Sequence, residues 1–313
     1  MAVLLIATAG GHLSELVELA PRLGVDLRDA TWVTFDTPQS RSLLAGRDVR
    51  FVDVVRSRDA LGTLRATRRA SSILGERRWE CIVTTGAAIA AAFMPLARLR
   101  GIPTHYVESA ARTTGPSVTG RIAHALPGVH CYTQYAQWSS RSWHAAGNVF
   151  DNFQLAAAPS PPAQLRRLLV TVGTMPFPFD RLIARLDAIL PPDVDVTWQL
   201  GGSRTVPSRG TVVTTIGADE LRELHRQADA VVAHAGVGSA LMALDTGRVP
   251  ILVPRLERHG EHVDDHQIAI AEHLAARGLA RMVDAGELTL ADLDAVAAGR
   301  AERVAVPPPI VLR

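Results

Sequence analysis

Gly10-Gly11-His12 stands directly behind an apolar run, Val3 to Thr8, and opens a helical pattern with Leu13, Leu16, Val17 and Ala20 on one face. The two glycines let a ligand approach the backbone closely. A helix N-terminus disfavours imidazolium, which leaves His12 neutral near pH 7 and makes it a candidate general base, although a histidine that only caps the helix fits the same position. A second polar loop, Glu108-Ser109-Ala110-Ala111-Arg112, follows the apolar run Thr104 to Val107. Glu108 suits orienting His12 or accepting a proton itself, and Arg112 suits an anionic substrate; an ion pair that fixes the loop is the structural alternative.

Val172-Gly173-Thr174 repeats the order of strand then glycine, and His234-Ala235-Gly236-Val237-Gly238-Ser239 repeats it more strongly. Amides at the start of the helix from Val237 are suited to a ligand phosphate. A dinucleotide fingerprint is the rival reading, but Leu241 replaces its third glycine and the motif lies deep in the second half of the chain. Pro254 to Gln267 is dense in polar groups, including Glu261, Asp265, His266 and Gln267. His262 and His266 are four apart, a spacing that places two metal ligands on one helix face, yet no further ligand set accompanies them, and acids and amides here also suit sugar hydroxyls. No metal is expected. The pairs Asp193/Asp195 and Asp292/Asp294 do not look like a manganese-diphosphate site.

All 33 basic residues are arginine, so a lysine phosphate loop, a Schiff-base lysine and a kinase-type lysine are excluded. Any phosphate must be held by backbone amides, hydroxyls, histidine or arginine. Two cysteines, Cys81 and Cys131, are too few for a disulfide framework or a four-ligand zinc site and suit a reducing compartment. Residues 1–150 carry 17 Arg against 11 acids, about +6, and residues 151–313 carry 16 against 20, about −4. A basic first half points to an anionic partner or surface, while the overall charge of +2 is too mild for nucleic acid.

Short apolar runs alternating with helical patterns predict strands at 3–8, 32–35, 51–55, 81–85, 104–107 and 129–132, the cadence of a doubly wound parallel sheet. The small, proline-rich stretch near 156–163 predicts a linker, followed by strands at 168–172, 195–200, 211–216, 230–234 and 249–253. The organisation expected is an N-terminal domain 1–153, a linker 154–164 and a C-terminal domain 165–313, with ligands beyond the carboxyl ends of the strands. No apolar run is long enough to span a membrane. Between Arg56 and Arg78, seven arginines against Asp59 and Glu76 interleave with Leu61, Leu64, Ile73 and Leu74, the pattern of a helix lying on anionic lipid or of a solvated basic face. The apolar stretch 88–96 either joins that face or is core.

Taken together, these loops resemble a glycosyltransferase of the type B fold (GT-B), an α/β architecture of two tandem Rossmann-like domains facing a cleft. The similarity is to bacterial exopolysaccharide transferases that act on lipid-linked glycans. Residues 9–13 and 106–112 look like the acceptor-side subunit of the eukaryotic N-glycan UDP-GlcNAc transferase. Residues 170–174, 234–239 and 260–267 look like its donor-side subunit and the glycosyltransferase family 28 C-terminal domain. The resemblance implies inverting transfer from a UDP-sugar to an undecaprenyl-diphosphate-linked glycan, without a cofactor or metal. It also implies a cytoplasmic protein peripheral to the inner membrane face, with other polysaccharide-synthesis proteins as further partners. By that resemblance His12 is the base, with Glu108 an alternative or partner; Gly10, Gly11 and Arg112 belong to the acceptor loops. Gly173, Thr174, His234, Gly236, Gly238 and Ser239 would hold the nucleotide diphosphate, and Glu261, Asp265, His266 and Gln267 the donor sugar. Met242 departs from relatives that carry a ribose-binding Glu at this position. A sugar-nucleotide 2-epimerase, a non-catalytic sugar-nucleotide-binding subunit and a soluble natural-product glycosyltransferase are the alternatives.

Overall fold

A computed structural model describes residues 2–54, 60–157, 165–214 and 216–313. The chain divides into two compact units, Met1–Asp151 with Val306–Arg313, and Asn152–Ala305. The first holds β1 (Ala2–Ala7), α1 (Gly11–Leu19), β2 (Thr31–Phe35), α2 (Pro38–Leu43), β3 (Asp48–Val52), α3 (Ala60–Leu74) and β4 (Trp79–Gly86). It continues through α4 (Ala88–Leu99), β5 (Thr104–Val107), α5 (Val118–Ala125), β6 (Val129–Thr133) and β7 (Trp143–Ala145). All seven strands run parallel in the order β3-β2-β1-β4-β5-β6-β7. The central strand β1, AVLLIA, is buried along its whole length, as a strand covered on both faces requires. Order reverses between β1 and β4, so the loops that leave their carboxyl ends diverge and open a crevice there.

The second unit contains β8 (Phe153–Leu155), β9 (Arg167–Thr171), α6 (Asp180–Ile189), β10 (Asp195–Gln199), β11 (Thr211–Val213), α7 (Ala218–Gln227) and β12 (Ala230–His234). These are followed by α8 (Val237–Asp245), β13 (Ile251–Val253), α9 (His266–Ala276), β14 (Arg281–Met282), α10 (Leu290–Ala297) and β15 (Ala301–Arg303). Six strands form a parallel sheet in the order β11-β10-β9-β12-β13-β14, with the reversal between β9 and β12, while β8 and β15 pair antiparallel. Val170, Val196, Trp198, Val232 and Ile251 fill one core with α6 residues Leu182, Ile183 and Leu186.

The domain boundaries need correction at both ends. Phe153, expected in the first domain, and Gln154 and Leu155, expected as linker, form a strand of the second unit, because β15 returns to pair with them; linker residues 158–164 lie outside the described residues. The last eight residues belong to the first unit. The buried Arg22 guanidinium donates to Pro308 O (2.8 Å) and Asn148 O (2.6 Å), and Ile310 N–H donates to Arg22 O (2.6 Å). The lipid-facing helix also changes. In α3, Ala66, Ala70, Ile73 and Leu74 are buried in the core with Ile89 and Phe93 of α4, so Ile73 and Leu74 do not face lipid and the 88–96 stretch is core. Arg65, Arg68 and Arg69 form the exposed face; Arg56, Asp59 and the side chains of Leu61 and Leu64 lie outside the described residues.

Candidate active site

His12 lies at the reversal point of the first sheet. Its Nδ1 is 2.8 Å from the carbonyl of Thr85, at the end of β4, and Thr85 Oγ1 donates to His12 O at 2.9 Å. A register shift in the β1–β4 ladder helps to set this contact: Ile6 pairs with Thr84 and Ala7 with Gly86, leaving Thr85 as the extra residue of a bulge. Bulges re-aim backbone groups next to sites. A carbonyl only accepts, so Nδ1 carries the proton and Nε2 is the proton acceptor, the tautomer a general base needs. Gly10 supplies the turn into α1 with φ 93°, and Gly11 is the first helical residue. Gly86 (φ 92°) leaves room between His12 and Tyr106: a Cβ there would stand 3.8 Å from His12 Cε1 and 3.4 Å from the Tyr106 hydroxyl.

Glu108 neither orients His12 nor offers itself as the base. Its Oε1 accepts from Ser109 N–H (3.1 Å) and Tyr106 OH (3.1 Å), and its Oε2 from Ser117 N–H (2.9 Å) and Ser117 Oγ (3.1 Å). Four donors use the lone pairs of a carboxylate that is only 1% exposed, and none is left for a substrate hydroxyl. Burial raises its pKa. Glu108 therefore shapes the loop from 108 to 117, and Arg112, half-buried, is held in it by Arg112 N–H to Ser109 O (2.9 Å) and Trp138 Nε1 to Arg112 O (3.2 Å).

Glu15, one turn beyond His12, was not among the expected residues. Fully buried, it accepts from Ala110 N–H (2.6 Å), Ser109 Oγ (2.9 Å) and Gln134 Nε2, tying the helix that carries His12 to the 108–112 loop. Burial, helped by the neighbouring Glu108 charge, pushes its pKa up to about 7. A charged residue beside the apolar face of α1 was the only sign of it in the sequence.

In the second unit, the loops after β9 and β12 also meet at the reversal point. Gln199 takes up the Gly173 backbone, accepting from its N–H (3.2 Å) and donating to its carbonyl (2.9 Å), so Gly173 contributes space rather than an amide. That space holds His234: a Cβ on Gly173 would come within 2.5 Å of the imidazole, and one on Gly236 within 2.4 Å of its Nε2. The ring is 3.3 Å from Ser239 Oγ, and burial with the nearby Arg255 charge depresses its pKa to about 3, so it stays neutral. Gly236 caps α8 without a side-chain bond, leaving Val237, Gly238 and Ser239 amides to lead the helix. Thr174 is exposed in the loop after β9.

Because Gly236 has φ −90°, which alanine adopts freely, Gly236→Ala tests steric seating alone. The variant is expected to be destabilised by about 1–3 kcal/mol and to bind nucleotide more weakly, with calorimetry and thermal melts as readouts. Adding His234→Ala should restore most of the stability.

Arg255 organises the remaining loop and is 1% exposed. Its guanidinium donates to Phe177 O (2.6 Å), Val172 O (2.6 Å) and Glu261 O (3.3 Å), while its N–H donates to Gln267 Oε1 (3.1 Å). The last bond occupies the Gln267 amide oxygen, and the side chain is buried. Glu261, expected to bind sugar, is instead gripped by Arg181 (2.8 and 3.2 Å) and by Leu256 N–H (3.0 Å), so it fixes the loop. Asp265 accepts from Glu257 N–H at 2.7 Å and remains exposed at the start of α9.

His262 precedes α9 whereas His266 begins it, so the two do not share a helix face. Among the described residues, one group of three possible metal-ligand atoms converges, those of His262, Asp264 and His266. The His266–Asp264 pair is in direct hydrogen-bond contact.

Residues 167–298 match the glycosyltransferase family 28 C-terminal domain. The chain is 26% identical over 309 residues, 93% of this chain and 78% of the relative, to the UDP-N-acetylglucosamine--N-acetylmuramyl-(pentapeptide) pyrophosphoryl-undecaprenol N-acetylglucosamine transferase of Nitratidesulfovibrio vulgaris strain DP4. It is 34% identical over 128 residues to the Mus musculus UDP-N-acetylglucosamine transferase subunit ALG13, covering 36% of this chain and 10% of that protein. Among solved structures, Acinetobacter baumannii MurG is similar with a TM-score of 0.56 and 19% identity, covering 94% of this chain and 88% of that one. The calicheamicin glycosyltransferase CalG4 gives 0.51 and 16%, covering 95% and 90%. Two parallel α/β units of this order make the fold GT-B, and the protein is a GT-B glycosyltransferase. Its second unit carries a glycosyltransferase family 28 C-terminal domain.

Proposed function

We propose that the protein transfers a hexose, with inversion and without a metal, from a UDP-sugar to a hydroxyl of an undecaprenyl-diphosphate-linked glycan in cell-surface polysaccharide synthesis. The observation that carries this reading is the pair of reversal points. One holds an oriented, proton-accepting histidine, and the other holds an uncapped helix N-terminus beside small residues. The printed names of both curated relatives specify UDP-N-acetylglucosamine, and that of the bacterial one an undecaprenol-linked acceptor, which supports donor and acceptor class.

In the proposed step, His12 Nε2 takes the acceptor hydroxyl proton as that oxygen bonds to the anomeric carbon from the face opposite the diphosphate. The bond from that carbon to the diphosphate oxygen breaks, and UDP leaves with the electron pair. Its charge is met by the Val237, Gly238 and Ser239 amides and the Thr174 and Ser239 hydroxyls. His12 then releases its proton to solvent.

The test incubates purified protein with a panel of UDP-sugars, with and without lipid-linked glycans and EDTA, and measures UDP release. Release that needs the lipid fraction and survives EDTA is expected. Conversion of the nucleotide sugar alone would indicate an epimerase, release with soluble acceptors a natural-product transferase, and nucleotide binding without turnover a partner-dependent subunit.

No helix among the described residues is long and apolar enough to cross a membrane. Membrane association is proposed to be electrostatic, through the exposed Arg65, Arg68 and Arg69 face of α3. Replacing all three with Glu should lower binding to vesicles containing anionic lipid by at least about 10²-fold, at about 1 kcal/mol for each arginine removed. Co-sedimentation at low and high salt reads the effect.

A further inference from the structure

The resemblance implies that His266 and Gln267 contact the donor sugar. The carboxylate of Asp264 stands between two imidazoles. Its Oδ1 is in hydrogen-bond contact with His266 Nδ1 and 3.4 Å from His262 Nδ1. The rings meet edge to face, with centroids 4.6 Å apart. His262 is buried, with Phe177 beside it at 5.5 Å, and burial lowers its pKa, so it closes one side of Asp264 as a neutral ring. Of the two imidazoles, His266 stands in the closer contact with the Asp264 carboxylate.

We propose that Asp264 is a positioning residue that locks His266 in the Nδ1–H tautomer, so that Nε2 is its acceptor nitrogen. The inference rests on the donor-sugar reading of His266 and Gln267. A carboxylate only accepts, and so it fixes the proton on the nitrogen facing it. An acceptor at His266 Nε2 matches a sugar hydroxyl that donates to it. A deoxy position offers no such contact. Asp264 therefore sets a preference for a hydroxylated position on the donor hexose without touching the sugar itself.

Asp264→Asn separates this from a structural role, because its amide can donate to Nδ1 and force the proton onto Nε2. Asp264 is partly exposed in a loop, so the near-isosteric change should leave folding intact. Histidine-selective 15N NMR on the full chain reads the tautomer without requiring turnover. The expected result is Nδ1–H in the wild type and Nε2–H in Asp264→Asn. Calorimetry should show UDP-N-acetylglucosamine bound about tenfold more weakly by the variant while UDP itself changes less than about twofold, one hydrogen bond being lost. An Nε2–H tautomer in the wild type, or an unchanged tautomer in Asp264→Asn, would overturn the proposal whatever the enzyme transfers. A flipped tautomer with equal losses for UDP and the UDP-sugar would overturn the assignment to the sugar. Failure of the wild type to bind any UDP-sugar would count against the donor reading and leave the tautomer result standing.

Discussion

Replacing His12 with alanine is expected to lower turnover by about 10²–10⁴-fold, the usual contribution of a positioned general base. Binding of UDP should stay within about twofold, since the nucleotide contacts proposed lie on Thr174 and residues 237–239. The geometry gives this prediction its force. Thr85 O holds Nδ1, while the separate bond from Thr85 Oγ1 goes to the His12 backbone and survives the substitution. The helix N-terminus should therefore remain in place when the side chain is lost, and a fall in rate would report chemistry rather than unfolding. Single-turnover measurements with saturating UDP-sugar check this directly. Wild-type turnover in the variant would remove His12 from the mechanism.

Strands whose apolar runs end at proline, glycine or a charged residue were readable to the residue, as with Thr104–Val107 and Ala230–His234. The edge strand Asp48–Val52 was displaced by three residues in the reading, because Asp48 and Arg50 interrupt its pattern and an edge strand does not require continuous burial. The short strands Phe153–Leu155 and Ala301–Arg303 were invisible because each is defined by the other, about 150 residues away in the chain.

The candidate site divides in a similar way. His12 and the glycine loop were visible because their spacing relative to a strand is local. The partner of His12 was not, because it is a backbone carbonyl, which every residue possesses. Glu108 and Glu261 were misread for a different reason: a carboxylate in a loop looks free until distant donors are placed around it. Arg181 lies 80 residues before the Glu261 it binds. Arg255 was only one charge in a polar run, and its role depends on carbonyls of the loop after β9, about 80 residues earlier in the chain.

Glu15→Gln is expected to stabilise the protein at pH 8 by up to about 3 kcal/mol and to change it little at pH 4.5. Glu15 has a folded-state pKa of about 7 against 4.5 for the free side chain. Between those values the folded chain holds a proton that the unfolded chain has released, so the Glu15 contribution to stability falls as pH rises through this window. Above pH 7 a buried carboxylate replaces the neutral acid, and the full cost is present. Glutamine imitates the neutral acid: one oxygen accepts from Ala110 and Gln134, and the amide nitrogen donates toward Ser109 Oγ. The buried histidines impose the opposite slope. His105, His225 and His234 have pKa values lowered to about 4, 3 and 3, so stability is lost as pH falls below the ordinary histidine value. Their effect is common to both proteins and cancels in the difference between wild type and variant. Denaturant unfolding of both proteins from pH 4.5 to 8 isolates Glu15, and a difference independent of pH would show that its proton is not retained by the fold. A pH-dependent difference would mean that the contact between the His12 helix and the 108–112 loop weakens as Glu15 ionises.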